Sequence, residues 1–275
     1  MNVNPFLKLR RECLKGLSRA SLKTGSITVN GKKVRLPLID GVGASNLVIR
    51  DGWMWHFVSE ASREKDGYFL DVGANVGLFL IMTYLQGAKN PYIGVDPNPL
   101  CVHYVNELIR LNRMADATTY CLALGDRMMP VRLHAARKAD KMGSIYGNAR
   151  SEQDRRESFS YNVLMMNALD FLSLSKIDNI AAIKIDVEGA ESLILESLIP
   201  FLKEKFPWIF CEILPRTILP RGGRGCQINS ADHVFDLLSS AGYVVMNRHG
   251  EAALKEIKEG GNFVFLPKHE ANKFK

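Results

Sequence analysis

Three carboxylates stand where predicted strands end. Asp71 follows the apolar run "YFL", Asp96 lies in "GVDPNP", and Asp186 ends "IAAIKID". The carboxyl ends of parallel strands meet at one edge of a sheet, and open α/β folds bind their ligands there. We therefore expect the three acids to line one site. Carboxylates in such a place can accept hydrogen bonds from hydroxyl or ammonium groups, or can remove a proton.

The stretch "DVGANVG" joins a predicted strand to a predicted helix through Gly73 and Gly77. Such a corner lets the backbone approach a ligand, and the helix N-terminal amides point at it. Asn75 replaces the second glycine of GxGxxG, and no P-loop lysine follows, so dinucleotide and nucleoside triphosphate sites are disfavoured. The pattern is similar to the acid-x-Gly-x-x-x-Gly corner of S-adenosylmethionine-dependent methyltransferases. There Asp71 would serve the α-ammonium directly or through water, and Asn75 would hydrogen-bond the methionine part.

Asp96 supplies a second predicted wall. It follows Asp71 by 25 residues, close to the roughly 20-residue spacing at which an acid of a Rossmann-like unit accepts the ribose hydroxyls. A carboxylate that caps the helix begun by Pro97 and Pro99 is the alternative for Asp96. The pair of acids at this spacing favours ligand binding.

The segment "IKIDVEGAE" supplies the third wall. Asp186 is expected at the end of a strand, and Glu188 and Glu191 in the first turn of the next helix, where they could equally cap its amides. With Glu212 of "FCEI", Asp186 and Glu188 are candidates for the base that deprotonates a hydroxyl acceptor. We favour Glu188 or Asp186.

Polar side chains of this region suggest two further roles, a cation site and a histidine base. The same carboxylates could hold a divalent cation, but no histidine or ligand spacing supports a metal, so metal-free chemistry is preferred. His134 and His233 are secondary candidates for the base, because a lone histidine in such a place is more often structural or exposed.

The elements that must position these residues follow an alternating pattern. From about residue 67, short β-like runs alternate with longer helical runs, which predicts an α/β fold with about seven strands in a mostly parallel sheet. "YVVMN" and "NFVFLP" predict an antiparallel C-terminal pair at the sheet edge. We divide the chain into an N-terminal basic extension, 1–66, that packs on or near a catalytic domain, 67–275. Residues 136–160 are polar and charged, and predict a flexible insert.

The motifs "FLDVGANVG", "GVDPNP", "LALGD", "IKIDVEGAE" and "FCEI" occur in this order. With them the chain resembles the FkbM family of S-adenosylmethionine-dependent methyltransferases, over about residues 67–267. The resemblance implies a class I methyltransferase (Rossmann-like) sheet, bound S-adenosyl-L-methionine with S-adenosyl-L-homocysteine as product, and an oxygen of a sugar or natural product as acceptor. It assigns the cofactor site to the methionine corner Asp71, Gly73, Asn75 and Gly77, the ribose acid Asp96, the adenine border Leu122 and Ala123, and the strand-end Asp186.

The sequence departs from the family pattern at two places. Asp96 stands where many relatives carry glutamate, which has a longer reach. "FCEILP" lacks the histidine often found shortly after the fifth-strand glutamate, so no metal or base role is drawn from that histidine.

Charge is concentrated at the N-terminus and in two loops. Residues 1–35 carry nine basic groups against one acid, whereas the whole chain has a net charge of +7. This segment suits a helix packed on the domain, or contact with an anionic membrane surface, nucleic acid or an acidic partner. Loop cations could also hold an anionic glycan acceptor or be solvated. They are Arg137, Lys138, Lys141, Arg150, Arg155, Arg156, Arg216, Arg221 and Arg224.

The five cysteines are odd in number and never spaced as CxxC, which indicates a reducing compartment. No apolar run approaches the roughly 18 to 20 residues of a membrane span. We expect a cytoplasmic protein, with peripheral contact at the inner membrane surface as an alternative for the basic segment.

Three functions are compatible with these features. The first is O-methylation of a saccharide, glycolipid or natural product. The second is nucleic-acid methylation, which is disfavoured because "DVEG" stands where an "NPPY"-like motif would follow the fourth strand, with no aromatic platform for a flipped base. The third is S-adenosylmethionine binding without catalysis. Asp71→Ala or Gly73→Val is expected to abolish cofactor binding in a folded protein.

Overall fold

The computed structural model describes residues 24–39, 42–47, 51–135, 159–213, 231–247, 250–251 and 260–274. Its strands are β1 Thr24–Val29, β2 Lys32–Pro37, β3 Tyr68–Val72, β4 Tyr92–Val95, β5 Ala117–Tyr120, β6 Ala123–Gly125, β7 Met129–Ala135, β8 Phe159–Asn167, β9 Ile180–Ile185, β10 Trp208–Ile213, β11 Tyr243–Asn247, β12 Gly250–Glu251 and β13 Gly261–Pro267. Its α-helices are α1 Gly52–Glu64, α2 Leu78–Gln86, α3 Pro99–Asn112, α4 Ala168–Leu174, α5 Glu191–Lys205 and α6 Ala231–Ser240, with 3₁₀ turns at Ala44–Leu47 and Lys268–Lys273.

The main sheet has the strand order β12-β11-β13-β10-β9-β3-β4-β5. The pairs β10–β9, β9–β3, β3–β4 and β4–β5 are parallel, and β13 is antiparallel to both β10 and β11. This confirms the predicted sheet of about seven strands, to which the two-residue β12 is added at the edge. From β3 the chain runs outward through β4 and β5 and later returns to β9 on the other side. The switch point at which such sheets bind ligands therefore lies between β3 and β9.

Alternating side chains of the central strands feed two hydrophobic cores, one on each face of the sheet. Leu70 and Ile183 point to the core formed with α4, α5 and α6. Phe69 and Ala182 point to the opposite core, which α1, α2, α3 and the β1–β2 hairpin complete. The central strands are buried on both faces, which explains their nearly continuous apolar sequences.

Polar caps fix where the helices begin. The side chain of Asn98 accepts from the Leu100 amide and Pro99 follows it at the start of α3. Asp51 accepts from the amides of Trp53 and Met54 at α1. These contacts satisfy donors that a helix N-terminus otherwise leaves unpaired.

Several boundaries differ from the sequence-based expectation. A helix packed on the domain was one expectation for the basic segment, residues 1–35. Residues 24–37 instead form the β1–β2 hairpin, whose turn residues Asn30 and Gly31 adopt positive φ. β8 begins at Phe159, where a loop was predicted, and pairs with β6 and β7 in a separate three-stranded sheet. The helix α4 within "MNALDFLSL" begins at Ala168, because the side chain of Asn167 caps it.

The division at residue 66 stays a prediction. Most of the basic N-terminal residues, 1–23, lie outside the described residues, as do 136–158 of the predicted insert and 214–230 with its three arginines. Within the described ranges, no helix has the length and apolarity needed to cross a membrane.

Candidate active site

The turn after β3 is shaped by glycines in the left-handed region. Gly73 has φ +80°, its amide donates to the Val95 carbonyl at 2.9 Å, and a Cβ built on it would lie 1.9 Å from the Asp186 carbonyl oxygen. Gly77, at φ +72°, precedes α2 and would bring a Cβ within 3.1 Å of Leu108. A side chain at Gly73 collides with backbone that cannot move aside. Gly73→Val should therefore disturb the fold, contrary to the expectation from sequence.

Asp71 is fully buried, with 0% exposure, and points into the protein. Its Oδ2 accepts from the Tyr92 hydroxyl at 2.7 Å, and its Oδ1 lies 3.1 Å from Lys184 Nζ. Asp71 is absent from the described lining of the clefts, and its predicted contact with a ligand ammonium, directly or through water, stays a prediction. Asp71→Ala would leave the buried Lys184 ammonium with one partner fewer.

Lys184 is the residue of this region that sequence reasoning missed. Its Nζ donates to the Gly73 carbonyl at 2.6 Å, and lies 3.1 Å from Asp71 Oδ1 and 3.4 Å from Asp186 Oδ2. A signal was available, because "IAAIKID" and "YFLDV" each place one charge inside a strand predicted to be buried on both faces. Two such charges of opposite sign on neighbouring strands must pair.

Asp96 ends β4 with its carboxylate held by two backbone amides. Oδ2 accepts from the Asn75 amide at 2.7 Å and Oδ1 from the Asn98 amide at 2.8 Å. Burial raises the pKa of Asp96 to about 6, although these two hydrogen bonds and the Lys184 charge act in the opposite direction. The cap of α3 is Asn98, so the helix-cap alternative for Asp96 is wrong.

A cleft, which we name the donor cleft, opens at this edge of the sheet. Its polar lining includes Asn75, Asp96, Asn98, Asp186 and Glu188. Its apolar lining includes Val72, Val95, Pro97, Leu122, Ala123, Leu124, Leu133, Val187 and Ala190. The cleft thus brings together Gly73, Asn75, Asp96, Leu122, Ala123 and Asp186 of the predicted cofactor site.

A second cleft, which we name the acceptor cleft, adjoins the first. Its lining consists of Asn46, Met54, Ala74, Asn75, Val76, Leu78, Phe79, Lys184, Asp186, Glu188 and Glu212. Asn46 and Met54 come from the segment before residue 67, and Asn46 Nδ2 donates to the Val76 carbonyl at 2.5 Å. Sequence reasoning found no role for either residue. Asn75, Asp186 and Glu188 line both clefts.

Three carboxylates predicted as catalytic lie together at the strand ends. One oxygen each from Asp186, Glu188 and Glu212 falls within 4.8 Å of the others. Burial, a hydrogen bond to Asp186 and the negative charges of its neighbours raise the pKa of the Glu212 carboxyl far above its ordinary value. The raised pKa favours the protonated form of Glu212, in which it can donate to Asp186, and Asp186 and Glu188 remain the candidates for accepting a proton.

Glu188 does not lie in a helical turn as predicted. α5 begins at Glu191, and Glu188 stands in the preceding loop with φ +55°. Glu191 is 5% exposed, and its Oε1 accepts from the Gly189 amide at 3.0 Å and the Val187 amide at 3.4 Å. Glu191 thus holds the loop that presents Glu188 to both clefts, and burial raises the pKa of Glu191 to about 7.

The histidine candidates fall away from this site. His233 lies on α6, and its Nε2 is 2.5 Å from Glu196 Oε1 on α5. This position does not line either cleft. His134 lies on β7, and its side chain is outside the described part of the chain, as are the loop arginines and lysines predicted to contact an anionic acceptor.

The sheet is mostly parallel, with the antiparallel strand β13 inserted between β10 and β11. Acidic strand ends surround two joined clefts. These features define a Rossmann-like α/β protein of the methyltransferase type. A model of the methyltransferase FkbM domain matches residues 71–245. The chain belongs to the FkbM methyltransferase family. No curated protein matches it.

Solved structures give more distant likenesses. Methyltransferase FkbM from Methylobacillus flagellatus KT is 14% identical, with a TM-score of 0.44 over 72% of this chain and 43% of that chain. An O-methyltransferase from Bacillus cereus in complex with SAH is 8% identical, with a TM-score of 0.45 over 97% and 92%. An SAH-bound methyltransferase from Podospora anserina is 9% identical, with a TM-score of 0.48 over 94% and 87%. This chain spans less than half of the Methylobacillus protein, and its fold class rests on its own strand order.

Proposed function

We propose that this protein is an S-adenosylmethionine-dependent O-methyltransferase whose acceptor is a hydroxyl of a saccharide, glycolipid or natural product. The observation that carries the proposal is the junction of the two clefts. Asn75, Asp186 and Glu188 line both of them. A methyl donor in one cleft and an acceptor in the other would meet at carboxylates able to take a proton.

The chemistry of the donor cleft fits the proposed cofactor. The Asp96 carboxylate is oriented by two amides and keeps lone pairs for a ribose diol. Leu122, Leu124 and Leu133 offer apolar contact to a base. Asp186 and Glu188 of the same lining supply negative charge that suits a sulfonium and an ammonium. When bound, the cofactor supplies an electrophilic methyl group.

The chain's own contribution to the reaction is positioning and proton removal. Displacement at a methyl carbon requires an in-line approach, and holding two reactants in this geometry removes much of the barrier. A hydroxyl becomes a good nucleophile as its proton leaves, so a carboxylate at the junction accelerates transfer. Asp186 or Glu188 serves as the base, and the protonated Glu212 keeps Asp186 in place by donating to it.

The lining of the acceptor cleft indicates the class of acceptor. Among its described residues the ionisable side chains are Asp186, Glu188, Glu212 and Lys184, and Lys184 is ion-paired. Carboxylates repel a phosphate and accept hydrogen bonds from hydroxyls. We therefore propose a neutral polyhydroxylated moiety at the reacting end of the acceptor. An anionic group elsewhere in the acceptor would meet the arginine loops, which lie outside the described residues.

The experiment that tests this function is transfer of labelled methyl from S-adenosylmethionine to a panel of neutral glycans, glycolipid precursors, phosphorylated glycans and RNA. We expect label in a neutral glycan or glycolipid. The variant Asp186→Asn is the matched control and should lose this activity. Parallel reactions with a chelator decide whether the three carboxylates work with a divalent cation. Label found in RNA alone would replace the proposal by nucleic-acid methylation. Cofactor binding without transfer to any acceptor would favour a non-catalytic binding protein.

A further inference from the structure

We propose that Lys184 is a positioning residue, whose buried ammonium fixes the Gly73 turn against Asp186 and so sets the distance between the methyl-donor site and the base. The proposal rests on the proposed function, because it concerns the junction at which donor and acceptor would meet. It assigns a role to a residue that the sequence motifs left without one.

The contacts of Lys184 join three segments of the site. Nζ donates to the Gly73 carbonyl at 2.6 Å, which belongs to the turn that lines the donor cleft. It lies 3.4 Å from Asp186 Oδ2, at the end of the neighbouring strand. It also lies 3.1 Å from Asp71 Oδ1. The side chain is 5% exposed, so water does not compete effectively for these contacts.

Charge neutralisation alone does not explain this arrangement. Asp71 stands directly opposite Lys184 in the β3–β9 register and is fully buried. One such partner is sufficient to balance a buried ammonium. The contacts to Gly73 and Asp186 are additional, and both go to the edge where the two clefts meet. A buried ammonium needs a partner for each of its three N–H donors, and here two of the three partners belong to the segments that meet at the junction of the clefts, so the contacts that satisfy Lys184 also tie the Gly73 turn to Asp186.

The backbone at this junction is already close-packed. The Asp186 amide donates to the Val72 carbonyl at 3.1 Å, and the Gly73 Cα is so near the Asp186 carbonyl that a Cβ would lie 1.9 Å from it. The Lys184 ammonium joins the two sides of this contact, because it meets both the Gly73 carbonyl and the Asp186 carboxylate. Loss of its ammonium would free the Gly73 carbonyl and allow the turn to move relative to Asp186.

The charge of Lys184 also acts on the base. The acids that face its ammonium are Asp71, Asp186 and Asp96, with the Tyr92 hydroxyl beside Asp71. Burial lowers the pKa of Lys184, but the charges of Asp71 and Asp186 outweigh burial and raise it overall, so the ammonium persists at neutral pH. By reciprocity the ammonium favours the ionised form of Asp186. It thereby opposes the negative charge of Glu188 and Glu191 around that carboxylate.

A pair of variants separates positioning from stability. Lys184→Met removes the ammonium and leaves the Asp71 carboxylate buried and unpaired, so the protein should lose stability. The double variant Asp71→Asn/Lys184→Met removes both charges, while the side chain of residue 71 still accepts from Tyr92. We expect thermal unfolding of the double variant to return towards that of the unaltered protein.

The deciding measurement is calorimetric titration of the double variant with S-adenosyl-L-homocysteine. We expect its affinity to stay about 10- to 100-fold below that of the unaltered protein, as for loss of a hydrogen bond to a charged group. Recovery of affinity together with stability would overturn the proposal, because Lys184 would then serve only to neutralise Asp71.

A second measurement uses the ligand-free protein and separates this proposal from the proposed function. We expect faster hydrogen exchange at the Gly73 and Ala74 amides in the double variant, and a carbon-13 NMR titration in which the Asp186 carboxyl takes up its proton at a higher pH than in the unaltered protein. Unchanged exchange and an unchanged titration would overturn the role of Lys184. If the unaltered protein fails to bind S-adenosyl-L-homocysteine, the proposed function fails, and these two results still decide the role of Lys184.

Discussion

The backbone amide of Asn75 donates to Asp96 Oδ2 at 2.7 Å, which ties the turn after β3 to the end of β4. Asn75 has φ +50°, in the left-handed region that asparagine tolerates better than most residues. Its amide is thereby turned towards Asp96. The Asp96 carboxylate is thus oriented before any ligand arrives, and its remaining lone pairs face the donor cleft. Such preorganisation reduces the entropy that binding must overcome.

The ionisation of Asp96 should control cofactor affinity. Because burial raises the pKa of Asp96 to about 6, the carboxylate is ionised above that pH and gains a proton below it. A protonated carboxyl accepts hydrogen bonds from ribose hydroxyls less well. We expect affinity for S-adenosyl-L-homocysteine to be constant from pH 7 to 8 and to fall as pH drops below about 6, measured by calorimetry.

Asp96→Asn is the matched control for this pH dependence. It retains the size of the side chain but removes the charge, so affinity should be about 10- to 100-fold weaker at pH 7.5. The affinity of Asp96→Asn should also change much less between pH 5 and 7. A variant with the same pH profile as the unaltered protein would show that another group titrates.

The close approach of Gly73 to Asp186 predicts a position-specific cost of adding a methyl group. Gly73→Ala combines positive φ with a Cβ 1.9 Å from a backbone oxygen, whereas Gly31 has nearly the same φ and nothing within 4 Å of its Cβ. Gly31→Ala should cost about 1 to 2 kcal/mol of unfolding free energy. Gly73→Ala should cost roughly 3 kcal/mol or more. Equal losses in chemical denaturation would contradict the described packing.

The protonated state of Glu212 distinguishes it from the base. Asp186→Asn and Glu188→Gln should be compared with Glu212→Gln, which reproduces a neutral side chain that can donate to Asp186. The substitution of the base should lower kcat by about 10² to 10⁴-fold, with cofactor affinity measured in parallel. Glu212→Gln should lower kcat far less. A larger loss at Glu212 than at both other positions would assign proton removal to Glu212.

Burial of Glu191 predicts a pH-dependent gain in stability on substitution. The pKa of Glu191 is raised from 4.5 to about 7, so the folded state retains a proton that the unfolded chain releases. The contribution of Glu191 to stability therefore falls as pH rises from 4.5 to about 7. Glu191→Gln should be more stable than the unaltered protein at pH 8, by about 1 to 3 kcal/mol, and much less so at pH 5.

Thermal unfolding at the two pH values measures this difference. Glu204→Gln, on the same helix with a side chain 71% exposed, is the matched control and should give the same small change at both pH values. If Glu191→Gln behaves like Glu204→Gln, the carboxylate is not desolvated as the structure describes.

The walls of the site could be predicted from sequence because they sit at strand ends. Alternating apolar runs fix where β3, β4 and β9 end, and parallel strands bring those ends to one edge. Asp96 and Asp186 were therefore placed correctly relative to each other. The helix start near Glu188 was misplaced, because the Glu191 carboxylate folds back onto the Val187 and Gly189 amides and keeps these residues in a loop, which spacing alone does not reveal.

Other parts of the site depend on tertiary contacts that local sequence does not encode. Asp71 looks like a ligand from its motif, yet its orientation is set by Lys184 and Tyr92, which are distant in sequence. Asn46 and Met54 line the acceptor cleft only because the segment before β3 packs against α2 and the sheet. The strand β8 was not predicted, because a long polar stretch precedes it.

We propose above all that the cleft between β3, β4 and β9 binds the methyl donor. Calorimetric titration of the full chain with S-adenosyl-L-homocysteine at pH 7.5, beside Asp96→Asn, tests it most directly. We predict one site per chain, with affinity lowered about 10- to 100-fold by Asp96→Asn. No heat of binding to the unaltered protein at millimolar ligand, or equal affinity in the two proteins, would contradict the account.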